Sequence, residues 1–295
     1  MLTCNLMGGL GNQLFQIFTT ISLSIKTTNN FFFSNTIVLD GGYRHTYWDS
    51  LLFKLKPFLR EIHFIMETNS VFIKDSGFNR MFTIFKENGL QYNNIPLYKL
   101  TGTDTYLHGY FQSSKYFDST FQTIYRMLNI QEQKISVIYS LGNIVSELEN
   151  TISVHFRLGD YKFLSHVYPI LELSYYKKAL NEIIQKTGMN SKFNVIYFCE
   201  DKDLIDVLKI VNSLKEQFDG CSFIRCPEHL KDWEQLLLMS SCKHNIIANS
   251  TFSWWGAYLN THENKIVCYP NTWFKEATGH NTEDLCPDDW LRILL

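Results

Sequence analysis

The sequence predicts an α/β protein built from two doubly wound units in tandem. In the second half, short apolar, β-branched runs alternate with amphipathic helical stripes, the pattern of a parallel sheet covered on both faces. The first half opens in the same order, with an apolar run, a glycine turn and a helical stretch. Length agrees with the count, since 295 residues amount to about two domains at roughly 150 residues each.

Along the chain, Leu2–Met7 reads as a strand, Gly8–Gly11 as a tight turn and Asn12–Lys26 as a helix. Residues 29–100 mix aromatic and polar side chains without a clear period and receive no assignment. Asp104–Phe111 reads as a strand feeding a helix over Lys115–Leu128. The changeover between units is expected within Gly142–Asn150, which gives domains 1–147 and 148–295. Beyond it, Thr151–Phe156 is a strand. A helix over Leu173–Lys186 follows, with Tyr176, Leu180, Ile183 and Ile184 on one stripe and Gly188 at the C-cap position. Phe193–Cys199 is the next strand, and Leu204, Val207, Leu208, Val211 and Leu214 mark the next helix. Strands Ser222–Cys226, His244–Ala248 and Lys265–Tyr269 then alternate with helices Trp233–Met239 and Thr251–Leu259.

Composition excludes several classes. A balance of 27 basic and 29 acidic residues provides no basic field for nucleic acid. A content of 45% hydrophobic and 19% charged residues excludes global disorder. No apolar run approaches the roughly 20 residues of a membrane span, and Met1–Met7 lacks the basic start of a signal peptide. The expectation is a cytoplasmic protein, at most peripheral to a membrane. Cys4, Cys199 and Cys268 lie in apolar runs, and Cys221 and Cys226 form no CxxC pair, so reduced structural thiols are expected. His108, His166 and His280 show no metal-ligand spacing, and no metal is expected. Asn249-Ser250-Thr251 fits the glycosylation pattern, which is idle outside the secretory route.

Chemistry concentrates in four stretches, three of them at strand-to-helix junctions, where open α/β sheets bind ligands. The first, Gly8-Gly9-Leu10-Gly11-Asn12-Gln13, joins glycines that allow close approach to a helix start that favours anions. It matches neither a Walker A loop nor GxGxxG, and a plain turn is the alternative; the Asn12-Gln13 pair tips the reading toward a ligand. In the second, Val154–Tyr161, alternation puts His155 and Arg157 on one strand face, with Val154 and Phe156 on the other. Two donors at a strand end suit a phosphate, which arginine grips with two bonds. Asp160 then holds the arginine or takes a proton, and a structural Arg–Asp turn is the alternative.

The third, Phe198-Cys199-Glu200-Asp201, offers acids to a base or ribose, or else caps the following helix, the reading its local pattern favours. The fourth, Ile246–Gly256, runs a buried strand into Asn249, Ser250, Thr251 and Phe252, an anion cradle or an ordinary N-cap. Trp254 and Trp255 are expected in the core or at a domain interface. Tyr43, His45, Tyr47 and Trp48 form a cluster suited to stacking on an acceptor sugar, although a core cluster is the simpler reading.

Taken in order, GGLGNQLFQ, HGYFQSSKYF at His108–Phe117, HFRLGDY and ANSTFSWWGAYL resemble the inverting α-1,2-fucosyltransferase family, over about residues 7–270. The resemblance implies two Rossmann-like domains facing a cleft (the GT-B architecture), with 1–147 on the acceptor side and 148–295 on the donor side. It implies a GDP-β-L-fucose donor, an oligosaccharide acceptor, no cofactor and no obligatory metal. Fucose would move with inversion, typically to O2 of a β-galactoside. Arg157 matches the arginine that holds the diphosphate, with His155 beside it. Ser250, Thr251 and Phe252 match the segment facing the phosphate, and Asn249, Gly9 and Gly11 complete the donor set. Glu200 or Asp201 falls where related enzymes place acids against guanine or ribose, and Asn12 matches the asparagine that reaches the reacting sugar.

Two features depart from the pattern. Many members carry a second arginine where this chain has Leu158, and eukaryotic members carry a membrane anchor and lumenal stem. The bacterial-like or viral form is the closer comparison. In the mechanism implied, Arg157, His155 and the Ser250 helix start stabilise charge on the leaving phosphate. Asp160 is the nominal base, with His166 or a water relay as alternatives. Rival classes are a transferase using another GDP-linked deoxysugar, a nucleotide-sugar-binding protein without catalysis, and a lectin.

Overall fold

Two units make up the chain in a computed structural model that describes residues 1–39, 42–75, 77–142, 148–188 and 192–294. Unit 1 comprises Met1–Glu132 and Asn281–Pro287; unit 2 comprises Gln133–His280 and the chain from Asp288 onward. The expected changeover at 147/148 adjoins residues 143–147, which lie outside the described residues. The chain passes between units earlier, at 132/133. Buried Lys134 explains the early passage: its Nζ donates to the carbonyls of Ser240 (2.9 Å) and Leu259 (3.3 Å), both in unit 2.

In unit 1, β1 (Leu2–Cys4) leads into helix α1 (Leu10–Thr27), which buries Leu14, Phe15, Phe18 and Ile21. Phe18 meets the rings of Phe117 and Phe121 at 5.5 and 6.2 Å. The strand ends earlier and the helix begins earlier than expected, so Gly11 and Asn12 lie in the first helical turn. Short strands follow: β2 (Phe33–Ser34), β3 (Val38–Leu39), β4 (Arg44–His45) and β5 (Leu59–Arg60). The segment without an assignment then forms β6 (His63–Met66), β7 (Ser70–Asp75) and β8 (Phe78–Lys86), an antiparallel meander. After the single-turn α2 (Leu97–Leu100) comes β9 (Thr105–His108). The sheet runs β1-β9-β8-β7-β6, with β1, β9 and β8 parallel. The helix expected over 115–128 divides into two 3₁₀ turns and α3 (Phe121–Met127), followed by α4 (Ile130–Ser140).

Unit 2 repeats strand–helix units. Its strands are β10 (Thr151–His155), β11 (Phe193–Phe198), β12 (Cys221–Arg225), β13 (His244–Ile246), β14 (Val267–Pro270) and β15 (Leu291–Ile293). Helices α5 (Leu173–Thr187), α6 (Leu204–Gln217), α7 (Asp232–Met239) and α8 (Thr251–Tyr258) connect them. Among the described residues every pairing in this sheet is parallel, and the order is β12-β11-β10-β13-β14-β15. Numbered within the unit this is 3-2-1-4-5-6, the Rossmann order, whose direction of winding reverses between β10 and β13. One core cluster packs Ile152, Val154 and Phe156 of the first strand and its exit against Tyr176, Leu180 and Ile183 of α5 and Val207 and Val211 of α6. Trp254 and Trp255 are fully buried, as expected of core residues.

Candidate active site

The reversal between β10 and β13 fixes where unit 2 can take a ligand, because the loops leaving those two strands diverge and open a crevice. Arg157 follows β10 and Ser250 follows β13. Alternation sorts the first exit as expected. Val154, Phe156 and Leu158 belong to the core cluster, while the His155 ring lies 5.6 Å from that of Phe252 on the other side. Leu158, the position that departs from the family pattern, is thus a core residue in this chain.

Arg157 is held from two directions. Its Nη2 donates to Asp160 Oδ1 at 2.6 Å and its Nη1 to Glu200 Oε1 at 2.5 Å. The guanidinium also lies 5.3 Å from the centre of the Tyr161 ring. Tyr161 donates its hydroxyl to the Asn249 carbonyl at 2.8 Å, which joins the two strand exits. Gly159 has φ +30, and a Cβ there would sit 2.8 Å from Glu200 Oε1, so only glycine lets that carboxylate reach Arg157. Asp203, 2% exposed, pins the same turn by accepting from Gly159 N (2.5 Å) and Lys162 Nζ (2.7 Å). Sequence reasoning missed Asp203 and Tyr161. Tyr161 stood inside a stretch already singled out, and Asp203 lay two residues beyond another.

Glu200 and Asp201 do not cap the following helix. Glu200 pairs with Arg157 and Lys202, and Asp201 pairs with Arg225. Both strand ends compete for these acids more strongly than the helix start does. Ser250 is the N-cap of α8 in extended backbone, and its side chain makes no cap hydrogen bond. The first amides of α8 thereby remain available to an anion, with Thr251 and Phe252 half-buried in that turn. Asn249 is fully buried, and its Nδ2 donates to the carbonyls of Pro169 (3.0 Å) and Trp273 (3.1 Å). It clamps two loops, and no glycan can attach to an amide so placed.

Three buried polar atoms at this crevice have no hydrogen-bond partner: His155 Nδ1, Arg157 Nε and Asn249 Oδ1. Each such group costs about 1–3 kcal/mol, so three of them in one crevice call for a partner that completes them. Burial, helped by the Arg157 charge, lowers the His155 pKa to about 3. The ring is therefore neutral and offers a hydrogen bond without adding positive charge.

In unit 1, Gly9 is the N-cap of α1 and nothing lies within 4 Å of where its Cβ would be. Asn12 Oδ1 accepts from Gln112 Nε2 at 3.0 Å. Gln13 is fully buried and spends its Nε2 on the carbonyls of Gly8 and His45. Gln16 joins Met7 N to the Gly109 carbonyl. These glutamines bind loops to one another; Asn12 alone of the polar trio in that stretch is half-exposed. The aromatic-polar cluster divides. Trp48 is buried and stacks on Phe33 at 5.8 Å, while Tyr43 is 86% exposed.

All seven cysteines are free thiols, in line with expectation. Among the described residues, no group of three or more His, Cys, Asp or Glu side chains is placed to hold a metal ion, and no helix is long and apolar enough to cross a membrane.

Comparison with known proteins bears on the resemblance. The family model for glycosyl transferase family 11 matches residues 1–293. The O-antigen biosynthesis glycosyltransferase WbnK of Escherichia coli is 31% identical, over 98% of this chain and 99% of that protein. An alpha-1,2-colitosyltransferase of Escherichia coli is 27% identical, over 98% and 97%. Among solved structures, a point mutant of Arabidopsis thaliana FUT1 in complex with GDP matches 97% of this chain and 74% of its own at 10% identity and a TM-score of 0.49. With the family model spanning nearly every residue, the chain belongs to glycosyl transferase family 11 and is a glycosyltransferase.

Proposed function

We propose that this glycosyltransferase moves L-fucose from GDP-β-L-fucose, with inversion and without a metal, to O2 of a β-galactoside within an oligosaccharide acceptor. The observation that carries the reading is the crevice between β10 and β13. There Arg157, the open N-terminus of α8 and three unsatisfied buried polar atoms gather at the point where such sheets bind nucleotides. In the reaction, the acceptor oxygen attacks the anomeric carbon opposite GDP. The bond from that carbon to the phosphate oxygen breaks, and its electron pair leaves with the β-phosphate. Arg157, the Ser250 hydroxyl and the amides of Thr251 and Phe252 oppose the charge that grows there. His155 supplies a neutral hydrogen bond. Asp160, 42% exposed and committed to Arg157 through Oδ1, takes the acceptor proton on its other oxygen. Glu200 or Asp201 meets the ribose or guanine, and Asn12 hydrogen-bonds the transferred sugar.

A second reading shares this chemistry. One relative is an alpha-1,2-colitosyltransferase, and Leu158 removes the second arginine of the family pattern, so a GDP-linked colitose donor is the alternative. Incubating the protein with GDP-fucose, GDP-colitose and GDP-mannose plus a β-galactoside, with products read by mass spectrometry, separates them. Transfer of fucose alone supports the first reading and of colitose alone the second; transfer only from a sugar that is not a GDP-linked deoxysugar overturns both. GDP at about 100 times its dissociation constant should stabilise the fold by roughly 2.7 kcal/mol.

A further inference from the structure

We propose that Glu87 is a positioning residue of the transfer reaction, acting on Asn12 through the 109–112 loop. The inference rests on the functional reading of Asn12 given above. Glu87 lies one residue beyond β8, at the same sheet edge where β1 and β9 end, and its N–H donates to the His108 carbonyl at 2.9 Å. Asn12 follows β1 and Gln112 follows β9, so three parallel strands deliver all three residues to one edge.

The link is a chain of contacts. Glu87 Oε2 accepts from the backbone N–H groups of Tyr110 (2.7 Å) and Phe111 (2.8 Å). Its second oxygen faces the Tyr116 hydroxyl at 3.4 Å. Phe111 has φ +53, a left-handed conformation that a bulky residue adopts only when its surroundings impose it. The carboxylate supports it by binding the N–H of Phe111 and of the residue before, together with the buried Phe111 ring packed on Tyr116 at 5.3 Å. A Cβ on Gly109 would lie 2.4 Å from Glu87 Cβ, so the loop has been built to receive this side chain closely. Held that way, the buried Gln112 donates to Asn12 Oδ1 at 3.0 Å. That bond fixes which end of the Asn12 amide is occupied and leaves its NH₂ group to donate to the sugar. A half-buried acid is a costly way to hold a loop. Positioning to within about 0.5 Å is what a catalytic constellation requires of its supporting residues.

Glu87→Ala should lower kcat/KM by about tenfold with GDP affinity unchanged, and Glu87→Gln should recover most of it, since one amide oxygen can accept both N–H groups. Two residues acting through one contact show non-additive effects. Adding Glu87→Ala to Asn12→Ala should therefore cause no further loss. Gln112→Ala, which leaves Glu87 in place, should behave the same way and serves if Glu87→Ala fails to fold. A donor-independent readout completes the test: the Asn12 side-chain amide signal in ¹⁵N-asparagine-labelled protein should shift in Glu87→Ala and stay put in Glu87→Gln. Multiplicative losses of Glu87 and Asn12 variants, or an unmoved Asn12 signal in folded Glu87→Ala, overturn the proposal. Failure of the donor reading shows separately, as wild-type inactivity with GDP-deoxysugars, and the amide signal still decides the role of Glu87.

Discussion

Truncation of Arg157 to alanine should separate catalysis from folding. The guanidinium is 22% exposed, and its partners Asp160 and Glu200 are 42% and 39% exposed. Ion pairs this open to solvent contribute about 0.2–1 kcal/mol each, so losing two costs the fold roughly 1–2 kcal/mol at most. Glu200 keeps Lys202 at 2.7 Å as a partner, which softens the loss. The catalytic cost should be larger. The diphosphate gains negative charge as the sugar leaves, so the guanidinium acts more strongly in the transition state than in the ground state. Removing one preorganised donor of this kind costs about 10²–10³ in turnover, or roughly 2.7–4 kcal/mol. Lysine should restore only part, because a point charge cannot reproduce the planar two-bond grip. Turnover, GDP binding by calorimetry and denaturant unfolding should be measured on Arg157→Ala, Arg157→Lys and wild type. Turnover in a folded Arg157→Ala protein within a few-fold of wild type refutes the assignment and leaves Arg157 as the turn residue that its pairing with Asp160 also allows.

Two further outcomes follow from the same site. Transfer should persist in EDTA, since Arg157 and the α8 amides are assigned the charge that a metal would otherwise carry; activity lost on chelation and restored by Mn²⁺ or Mg²⁺ would mean another mechanistic class. His155 should steepen acid unfolding: desolvation, with the Arg157 charge, holds its folded pKa at about 3 against 6.5, so the stability from its neutral ring is complete above pH 6.5 and is lost as pH falls toward 3, a span on the order of 5 kcal/mol. Denaturant titrations of wild type and His155→Gln at about pH 7 and 4 should show the larger drop in wild type, and equal drops would disprove it.

How far the fold could be read depended on how each strand is buried. In unit 2, strands such as Phe193–Phe198 are covered on both faces and appear as continuous apolar runs with clear helices between them. The three-residue β15 is too short to leave such a run. The meander of unit 1 left none either. All four residues of β6 are exposed and of the nine in β8 only Phe82 is buried, so of the three strands only β7, with Val71 and Ile73 buried, has a regularly alternating face. Gln13 was drawn toward a ligand by its position beside Asn12, yet both of its amide hydrogens go to backbone carbonyls, one of them 32 residues away. A turn that holds a distant loop and a turn that holds a ligand need the same residue types, and local sequence does not distinguish them.

The candidate site shows what strand register adds. Locally, Arg157 pointed to Asp160 and Glu200 to a helix cap, and nothing linked the two stretches. In the sheet, His155 lies opposite Phe198 on the parallel neighbour. Two residues further along each chain, Arg157 comes opposite Glu200, and the 2.5 Å ion pair follows from that alignment. On the other side β10 adjoins β13, which brings the Ser250 helix start to the same edge. Three separate stretches thus become one constellation because a single strand order places their exits side by side. That order gives Arg157 two carboxylate partners, one on each Nη, and leaves its buried Nε without a hydrogen-bond partner at the crevice. The acids that fix the guanidinium thus still leave it an N–H donor for the diphosphate proposed above.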